Sequence, residues 1–178
     1  MPQSLLAILA ITVLATFALT QHRNRLYMQE VAIRNEISTQ ALAVATDRLE
    51  EMGRMAFDEH TVGSEGGMAK LTSVDLLTPV DSFGTDGQSN DIDDYNGVSI
   101  DTFRVTAGAQ VWFRLKTEVK YANETNPDQV VDYKTRIKKA TVWAYPVDTL
   151  GINVPGGIQA PDTIRLSQAY ACGSWCDW

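Results

Sequence analysis

Apolar residues fill the first part of this chain and then narrow to a helical stripe. Residues 5–19 (LLAILAITVLATFAL) carry no charged side chain and are apolar on every face of a helix. The following residues are polar and charged, but apolar residues recur among them at the three- and four-residue spacing of an amphipathic helix. The stripe consists of Ile33, Ile37, Ala41, Val44, Ala45, Leu49, Met52 and Met55. Because residues 3–55 contain no proline and only one glycine, Gly53, we predict one continuous helix in two halves.

The two halves imply different surroundings. A segment that is apolar all round belongs in a bilayer or in a bundle of similar helices, whereas a single stripe lies against a globular domain. Charged pairs one turn apart, Glu30 with Arg34 and Glu50 with Arg54, support the helix in its second half. We therefore expect a helix at residues 1–56, with a membrane or filament-core segment at 1–21, and a β-rich head at 57–178. The alternative is a signal anchor followed by an unrelated soluble helix.

Beyond the helix, the pattern changes to a loop and then to strands. Residues 58–98 are polar and acidic and are interrupted by glycines and Pro79, so we predict a long surface loop with a short strand near 71–77. Alternation of apolar and polar residues predicts strands at 102–107, 110–121, 131–145 and 163–171, the third ending before Pro146. The predicted fold class is α+β, a long N-terminal helix packed on an antiparallel sheet of about four strands.

Alternation also predicts which strand residues share a face. The second strand places Val111, Phe113, Leu115, Thr117, Val119 and Tyr121 on one side. The third alternates through Tyr133, Thr135, Ile137 and Lys139, breaks at residues 138–140 and resumes at Val142 and Trp143. The fourth places Ile164, Leu166, Gln168 and Tyr170 together.

Charge and cysteine content narrow the setting of the head. The formal net charge of −7 and a pI near 4.7 argue against nucleic acid or an anionic membrane surface as its partner. Cys172 and Cys176 are the two cysteines of the chain, and the apolar N-terminus implies export to an oxidising compartment. We predict a disulfide between them, with Gly173 and Ser174 turning the chain, in preference to a metal site.

The order of these features resembles the type IV pilins and the pseudopilins of type II secretion. These proteins also have a helix that is apolar first and amphipathic second, then a variable loop and an antiparallel sheet with a disulfide near the C-terminus. Residues 91–97 (DIDDYNG) are similar to a stretch of minor pilins, and residues 136–145 are similar to their penultimate strand. The family carries a glutamate at the fifth position of its helix, where this chain has Leu5.

The resemblance implies a structural subunit of an extracellular pilus-like filament and no enzymatic activity. It implies homopolymerisation through the helix, an inner-membrane location before assembly and a cell-surface filament afterwards. The assembly residues would be Leu5, Leu6, Ile8, Leu9, Ile11, Val13, Leu14 and Phe17. The alternatives are a minor pseudopilin of a secretion system and a membrane-anchored extracytoplasmic binding module.

The acidic loop supports two interpretations. Asp91, Asp93 and Asp94 offer hard oxygen ligands of the kind that Ca²⁺ prefers, but their order departs from the EF-hand loop because Gly97 falls one position late. We favour a solvated acidic turn and keep a calcium site as the alternative. No other cofactor is expected.

Other chemistry-bearing residues are sparse. His22 and His60 have no nucleophile or metal partner nearby in the sequence, and no phosphate-binding or hydrolase motif is present. Residues 123–125 (NET) match the N-glycosylation pattern on a predicted turn. Trp112 and Trp143 are expected in the core or at subunit contacts, and Trp175 and Trp178 at a subunit interface.

Overall fold

A computed structural model describes residues 2–62, 70–71, 73–84, 88–106, 109–147 and 163–173. Its elements are one helix, α1 (Pro2–Met52), four 3-10 turns, and the strands β1 (Ser99–Thr106), β2 (Ala109–Tyr121), β3 (Ile137–Val147) and β4 (Ile164–Ala171). The strands form one antiparallel sheet in the order β1-β2-β3-β4. The predicted α+β fold, a long helix on a four-stranded meander, is confirmed.

The helix α1 is continuous over 51 residues, which corresponds to about 75 Å at 1.5 Å per residue. It ends at Met52, and the N–H of Gly53 donates the closing hydrogen bond to the carbonyl of Leu49 over 2.9 Å. The two predicted pairs on its surface are formed, at 3.4 Å for Glu30 with Arg34 and 3.8 Å for Glu50 with Arg54. No break therefore separates the apolar half of the helix from the half that packs on the head.

The stripe on the second half of α1 packs against the sheet, chiefly against β3 and β4. Its fully buried members are Ala41, Val44, Ala45, Leu49 and Met52. Ile37 and Met55 are partly buried at the edges of this core. Ile33 is 45% exposed, so the head covers the helix only from about Ile37 onward. The prediction that the stripe is the partner of the sheet is confirmed, except for its first residue.

The described parts of the segment between helix and sheet contain short 3-10 turns and several buried side chains, which the prediction of a long surface loop did not include. Its 3-10 turns are Glu59–Thr61, Val74–Leu76, Val80–Ser82 and Asp93–Tyr95. The strand expected near residues 71–77 is wrong, because a 3-10 turn lies there. Six of its apolar side chains join the core, namely Phe57, Leu71, Leu77, Phe83, Ile92 and Tyr95. Apolar residues set singly among polar ones in irregular structure leave no periodic signal, and for this reason their burial was missed.

The third strand differs from its prediction at both ends. Residues 131–136 precede β3 and are not strand, and Thr135 there donates its hydroxyl hydrogen bond to the carbonyl of Ala122 over 2.7 Å. Pro146 lies inside β3, paired with Phe113 of β2. Among the described residues, β4 pairs with β3 no further than Ala144, so Pro146 lies beyond the paired part of that side of β3, where a missing N–H is tolerated.

The inward faces follow the alternation in β2 but not at the start of β3. Phe113, Leu115, Thr117, Val119 and Tyr121 are buried as predicted. The inward residues of β3 are Lys138, Ala140, Val142 and Ala144. The alternation through Ile137 and Lys139 is therefore the outward face, and a lysine enters the core.

A hydrogen bond fastens α1 to β4. The hydroxyl of Tyr170 donates to the carbonyl of Leu49 near the end of the helix. The ring of Tyr170 also lies over Gly53, where an added Cβ would approach Cε1 to 3.2 Å.

Replacing Tyr170 with phenylalanine should lower the free energy of unfolding by about 0.5–1.5 kcal/mol, because this hydrogen bond is lost while the ring stays. Urea unfolding of the full chain in detergent, followed by tryptophan fluorescence, measures the change. The control is Tyr133→Phe, which removes a hydroxyl from a side chain that is 61% exposed. Equal stability of Tyr170→Phe and the wild type would contradict the role of this bond.

Candidate assembly helix and a buried lysine

The first half of α1 stands free of the head. The predicted assembly residues Leu6, Ile8, Leu9, Ile11, Val13, Leu14 and Phe17 are each between 60% and 67% exposed. The side chain of Leu5 lies outside the described part of the structure. The helix is long and apolar enough to cross a membrane, and the head buries none of its most apolar stretch. An exposed apolar surface of this kind marks an interaction site or a membrane segment.

The threonine hydroxyl groups in this half are satisfied within the helix itself. Thr12, Thr16 and Thr20 donate to the carbonyls of Ile8, Val13 and Thr16. A polar side chain that bonds its own backbone does not need water or a partner chain. These threonines therefore do not oppose transfer of the segment into an apolar environment.

Under the second half of α1, the head buries a lysine. The side chain of Lys138 is 0% exposed, and its Nζ lies 2.8 Å from Oδ2 of Asp58 and 2.6 Å from Oδ1 of Asp93. The ammonium also donates to the carbonyl of Phe57 over 2.7 Å. The rings of Phe57, Phe83 and Tyr121 surround it, with centroids 4.6, 5.0 and 5.4 Å from Nζ. We call Lys138, Asp58, Asp93 and Asp91 the buried charge cluster.

The carboxylate of Asp58 is heavily hydrogen-bonded. Thr78 donates to it through its backbone N–H, over 3.0 Å to Oδ2, and through its hydroxyl, over 2.9 Å to Oδ1. The N–H of His60 donates to Oδ1 over 3.2 Å. Burial alone would raise the pKa of Asp58, but the charge and hydrogen bond of Lys138, together with these backbone donors, lower that pKa to about 2. Asp58 is therefore an anion at every physiological pH.

The other two carboxyl groups of the cluster, those of Asp93 and Asp91, release their protons at a higher pH than an ordinary aspartate does. Among the described residues, Asp93 contacts the ammonium of Lys138 and accepts from no other donor. Burial raises the pKa of Asp93 to about 8, against the opposing charge of Lys138. Burial likewise raises the pKa of Asp91 to about 7, with Lys138 opposing and Asp94 adding to the rise. The ammonium of Lys138 therefore lies beside one carboxylate that stays ionised, that of Asp58. The other two carboxyl groups, those of Asp91 and Asp93, hold a proton near neutral pH far more often than an ordinary aspartate does.

The three residues predicted for calcium are engaged by other groups of the protein. Asp93 is turned to Lys138, while Asp91 and Asp94 cap each other: the N–H of Asp94 donates to Oδ1 of Asp91 over 3.1 Å and the N–H of Asp91 donates to Oδ2 of Asp94 over 3.0 Å. Within the described residues, no group of three or more His, Cys, Asp or Glu side chains is arranged to hold a metal ion. Asp91 and Asp93 are 1% and 2% exposed, so the preferred interpretation, a solvated acidic turn, is wrong.

His60 lies beside two of the polar groups named above, although the sequence suggested no partner for it. Its Nδ1 is 3.2 Å from Oδ1 of Asp58 and 3.4 Å from Oγ1 of Thr78. A nucleophilic triad needs the carboxylate on one ring nitrogen and the hydroxyl on the other. Here both lie on the same nitrogen, so these three residues do not form such a triad.

Several other predicted sites lie at the margin of the structure. Cys172 is buried and its N–H donates to the carbonyl of Arg136, while Cys176, Trp175 and Trp178 lie outside the described residues, so the disulfide stays a prediction. The turn at Gly173 has a left-handed φ of 59°, as the predicted reversal requires. Trp112 and Trp143 are half-buried on the outward face of the sheet and not in the core.

The glycosylation pattern lies on a turn, as predicted. Oδ1 of Asn123 accepts from the N–H of Thr125 over 2.9 Å and from its hydroxyl over 2.7 Å. Glu124 and Thr125 are exposed. Whether a glycan is attached stays a prediction.

Sequence reasoning missed Lys138 and Asp58, the centre of the buried charge cluster. One signal was present, because the alternation of the third strand broke at residues 138–140. Continuing the pattern backward from Val142 would have placed Lys138 inward. No pattern in the sequence pointed to Asp58, which lies 80 residues away along the chain.

A comparison with protein families, with curated proteins and with solved structures finds no match for this chain.

Proposed function

We propose that this chain is a structural subunit of a pilus-like filament, assembled through the first half of α1. The supporting observation is that a fully exposed apolar helix continues without a break into the helix that forms the spine of the head. A flexible anchor would not need this continuity. A rigid rod sets the position of each head relative to the apolar segment, as a regular polymer requires.

The energy for assembly comes from the exposed apolar side chains. Burying one Leu, Ile, Val or Phe side chain contributes roughly 1.5–3 kcal/mol. Before assembly the bilayer takes up these groups, and in the filament the same segments of neighbouring copies do so. Alanines at 7, 10, 15 and 18 are small enough to let helices approach closely. The location that follows is the inner membrane first and the cell surface afterwards.

Assembly should fail when a charge enters the apolar segment. Replacing Ala10 with aspartate places a carboxylate among apolar helices, at a cost of roughly 2.5–3.5 kcal/mol per copy in a membrane. We expect wild-type protein, on removal of detergent, to form thin uniform fibres in negative-stain microscopy, and Ala10→Asp to form none. The matched control is Ala43→Asp, the same substitution at an exposed position of the same helix where the head is already packed.

The outcomes distinguish a filament subunit from a membrane-anchored module. Fibres of normal form from Ala10→Asp, or dispersed particles from the wild type, would contradict the proposal. Loss of fibres in both variants would mean that the surface of the head, and not the apolar segment, controls assembly.

The alternative is a membrane-anchored binding module, and one feature favours it. A cavity of about 310 Å³ lies on the outward face of the sheet, lined by Lys116, Trp143, Tyr145 and Thr163. This volume is at the lower end for a small-molecule site. Dispersed wild-type particles in the microscopy experiment would support this module.

A further inference from the structure

The buried charge cluster brings a primary amine against a carboxyl group where water is excluded. Nζ of Lys138 is 2.8 Å from Oδ2 of Asp58, and both side chains are 0% exposed. Groups fixed at this distance react as if each were present at a very high concentration, up to about 10⁵–10⁸ M in well-oriented cases. Three aromatic rings surround the amine and shield it from solvent.

We propose that Lys138 and Asp58 join through an amide bond between Nζ and Cγ, with Asp93 moving the protons and one water molecule leaving. The product is a covalent link within one chain. It needs no oxidant, cofactor or second protein.

The environment of Asp58 suits the role of electrophile. Its Oδ1 accepts from the hydroxyl of Thr78 over 2.9 Å and from the N–H groups of Thr78 and His60, each over 3.2 Å. Such donors stabilise the negative charge that develops on an oxygen when its carbon is attacked. Oδ1 therefore remains as the carbonyl oxygen of the amide. Oδ2, which faces the amine, is the oxygen that leaves.

Asp93 is placed to carry the protons. Its Oδ1 lies 2.6 Å from Nζ of Lys138, the nitrogen that reacts. Its pKa of about 8 suits a group that takes and gives protons near neutral pH, because proton transfer is most efficient when the pKa is close to the working pH.

The step balances in atoms and charge. In its ionised form Asp93 takes one proton from the ammonium and passes it to Oδ2 of Asp58, and the neutral amine then attacks Cγ of the carboxyl group, which is no longer an anion. A second proton follows from nitrogen to Oδ2 by the same route. The C–Oδ2 bond then breaks and water leaves. An ammonium and a carboxylate become an amide and water, and Asp93 ends as it began.

The bond would fix the chain just after α1 to the centre of the sheet. Asp58 follows the end of the helix by six residues, while Lys138 lies on β3 and is 80 residues away in sequence. A tie across a long loop removes the most freedom from the unfolded chain. Force applied along the helix would then reach the sheet through a covalent bond.

Intact mass spectrometry of the denatured, reduced full chain tests the proposal. The reference is the Lys138→Met variant, which has no amine, so that processing of the termini cancels. After correction for the substitution, we expect wild-type chain to be lighter by one water. Proteolysis should yield a branched peptide that joins the Asp58 and Lys138 segments. Wild-type chain without this deficit would overturn the proposal whether or not filaments form.

Three variants test the individual roles. Asp58→Asn should react with loss of ammonia and reach the same final mass as linked wild type, because the product is identical. Asp93→Asn should keep its full mass. Lys139→Met, at the neighbouring outward position, should still lose water. Linkage of Asp93→Asn at the wild-type rate would overturn the assignment of Asp93.

Discussion

Replacing Lys138 with alanine should lower the free energy of unfolding of the head by about 3–5 kcal/mol. The substitution leaves the carboxylate of Asp58 buried without its counter-charge, and removing one member of a buried ion pair typically costs this much. Burial raises the pKa of Asp58, and it is chiefly Lys138 that lowers it, so without the ammonium Asp58 either stays ionised and unpaired or takes up a proton, and both lower the stability of the folded state. The carbonyl of Phe57 also loses its donor.

The neighbouring lysine supplies the control. Lys139 follows in sequence but points outward, and its Nζ lies 2.9 Å from Oδ1 of Asp128, whose side chain is 94% exposed. An ion pair this exposed contributes little to stability, because solvent screens it. Urea unfolding of Lys138→Ala and Lys139→Ala in the same detergent compares the two. Similar losses would mean that the buried charge cluster has no special role.

A second variant separates charge from packing. Lys138→Met keeps most of the apolar stem and removes only the ammonium, so it should recover little of the loss. Wild-type stability of Lys138→Met would show that the stem, not the charge, holds this part of the core. The amide proposed above would enlarge the loss in both variants because neither can form it.

The helix and strands, whose apolar residues repeat at a regular spacing, were predictable. The core residues that lie in irregular segments were not. The helix stripe from Ala41 to Met52 and the inward residues of β2 repeat at 3.6 and 2 residues, and both are buried as expected. Phe83 and Ile92 flank 3-10 turns in irregular chain, where burial depends on contacts made far away in sequence. Lys138 was missed for a related reason, since a lysine is almost never fully buried unless it is paired. Its pairing with Asp58 exists only in three dimensions.

The exposed apolar segment of α1 was predictable for the opposite reason. Its character depends on composition alone, because an uncharged apolar run of this length is exceptional in a soluble domain. The structure adds that the segment stays exposed along its whole described length and is continuous with the buried helix. These are the properties on which the proposed assembly depends, and the sequence could suggest but not establish them.

The head should be more stable in mild acid than at neutral pH. Asp91 has a pKa of about 7 in the folded chain against about 3.9 when unfolded, so between these values the folded state holds a proton that the unfolded state has released. Its contribution is complete below pH 3.9 or so and is lost as the pH rises through about 7. One such proton corresponds to roughly 1.4 kcal/mol per pH unit. Asp93, whose pKa is about 8, acts in the same direction.

Asp58 opposes this trend only in stronger acid. Because its folded pKa is lowered to about 2, its contribution is present above about pH 4 and is lost as the pH falls toward 2. The optimum should therefore lie near pH 4. Between about pH 5 and pH 7 we expect the free energy of unfolding to fall by about 2 kcal/mol or more. The sign is the same with the amide in place, because Asp91 and Asp93 keep their carboxyl groups.

Urea unfolding at a series of pH values measures this dependence, and Asp91→Asn identifies its source. Asparagine keeps an oxygen that can accept from the N–H of Asp94, as Oδ1 of Asp91 does, but it cannot titrate. The variant should therefore flatten the profile between about pH 5 and pH 7, whereas Asp81→Asn, at an exposed position, should leave it unchanged. An ionised Asp91 would be buried near two other carboxyl groups that share a single ammonium. If the free energy of unfolding instead rose toward neutral pH, these carboxyl groups would not be desolvated in the folded protein.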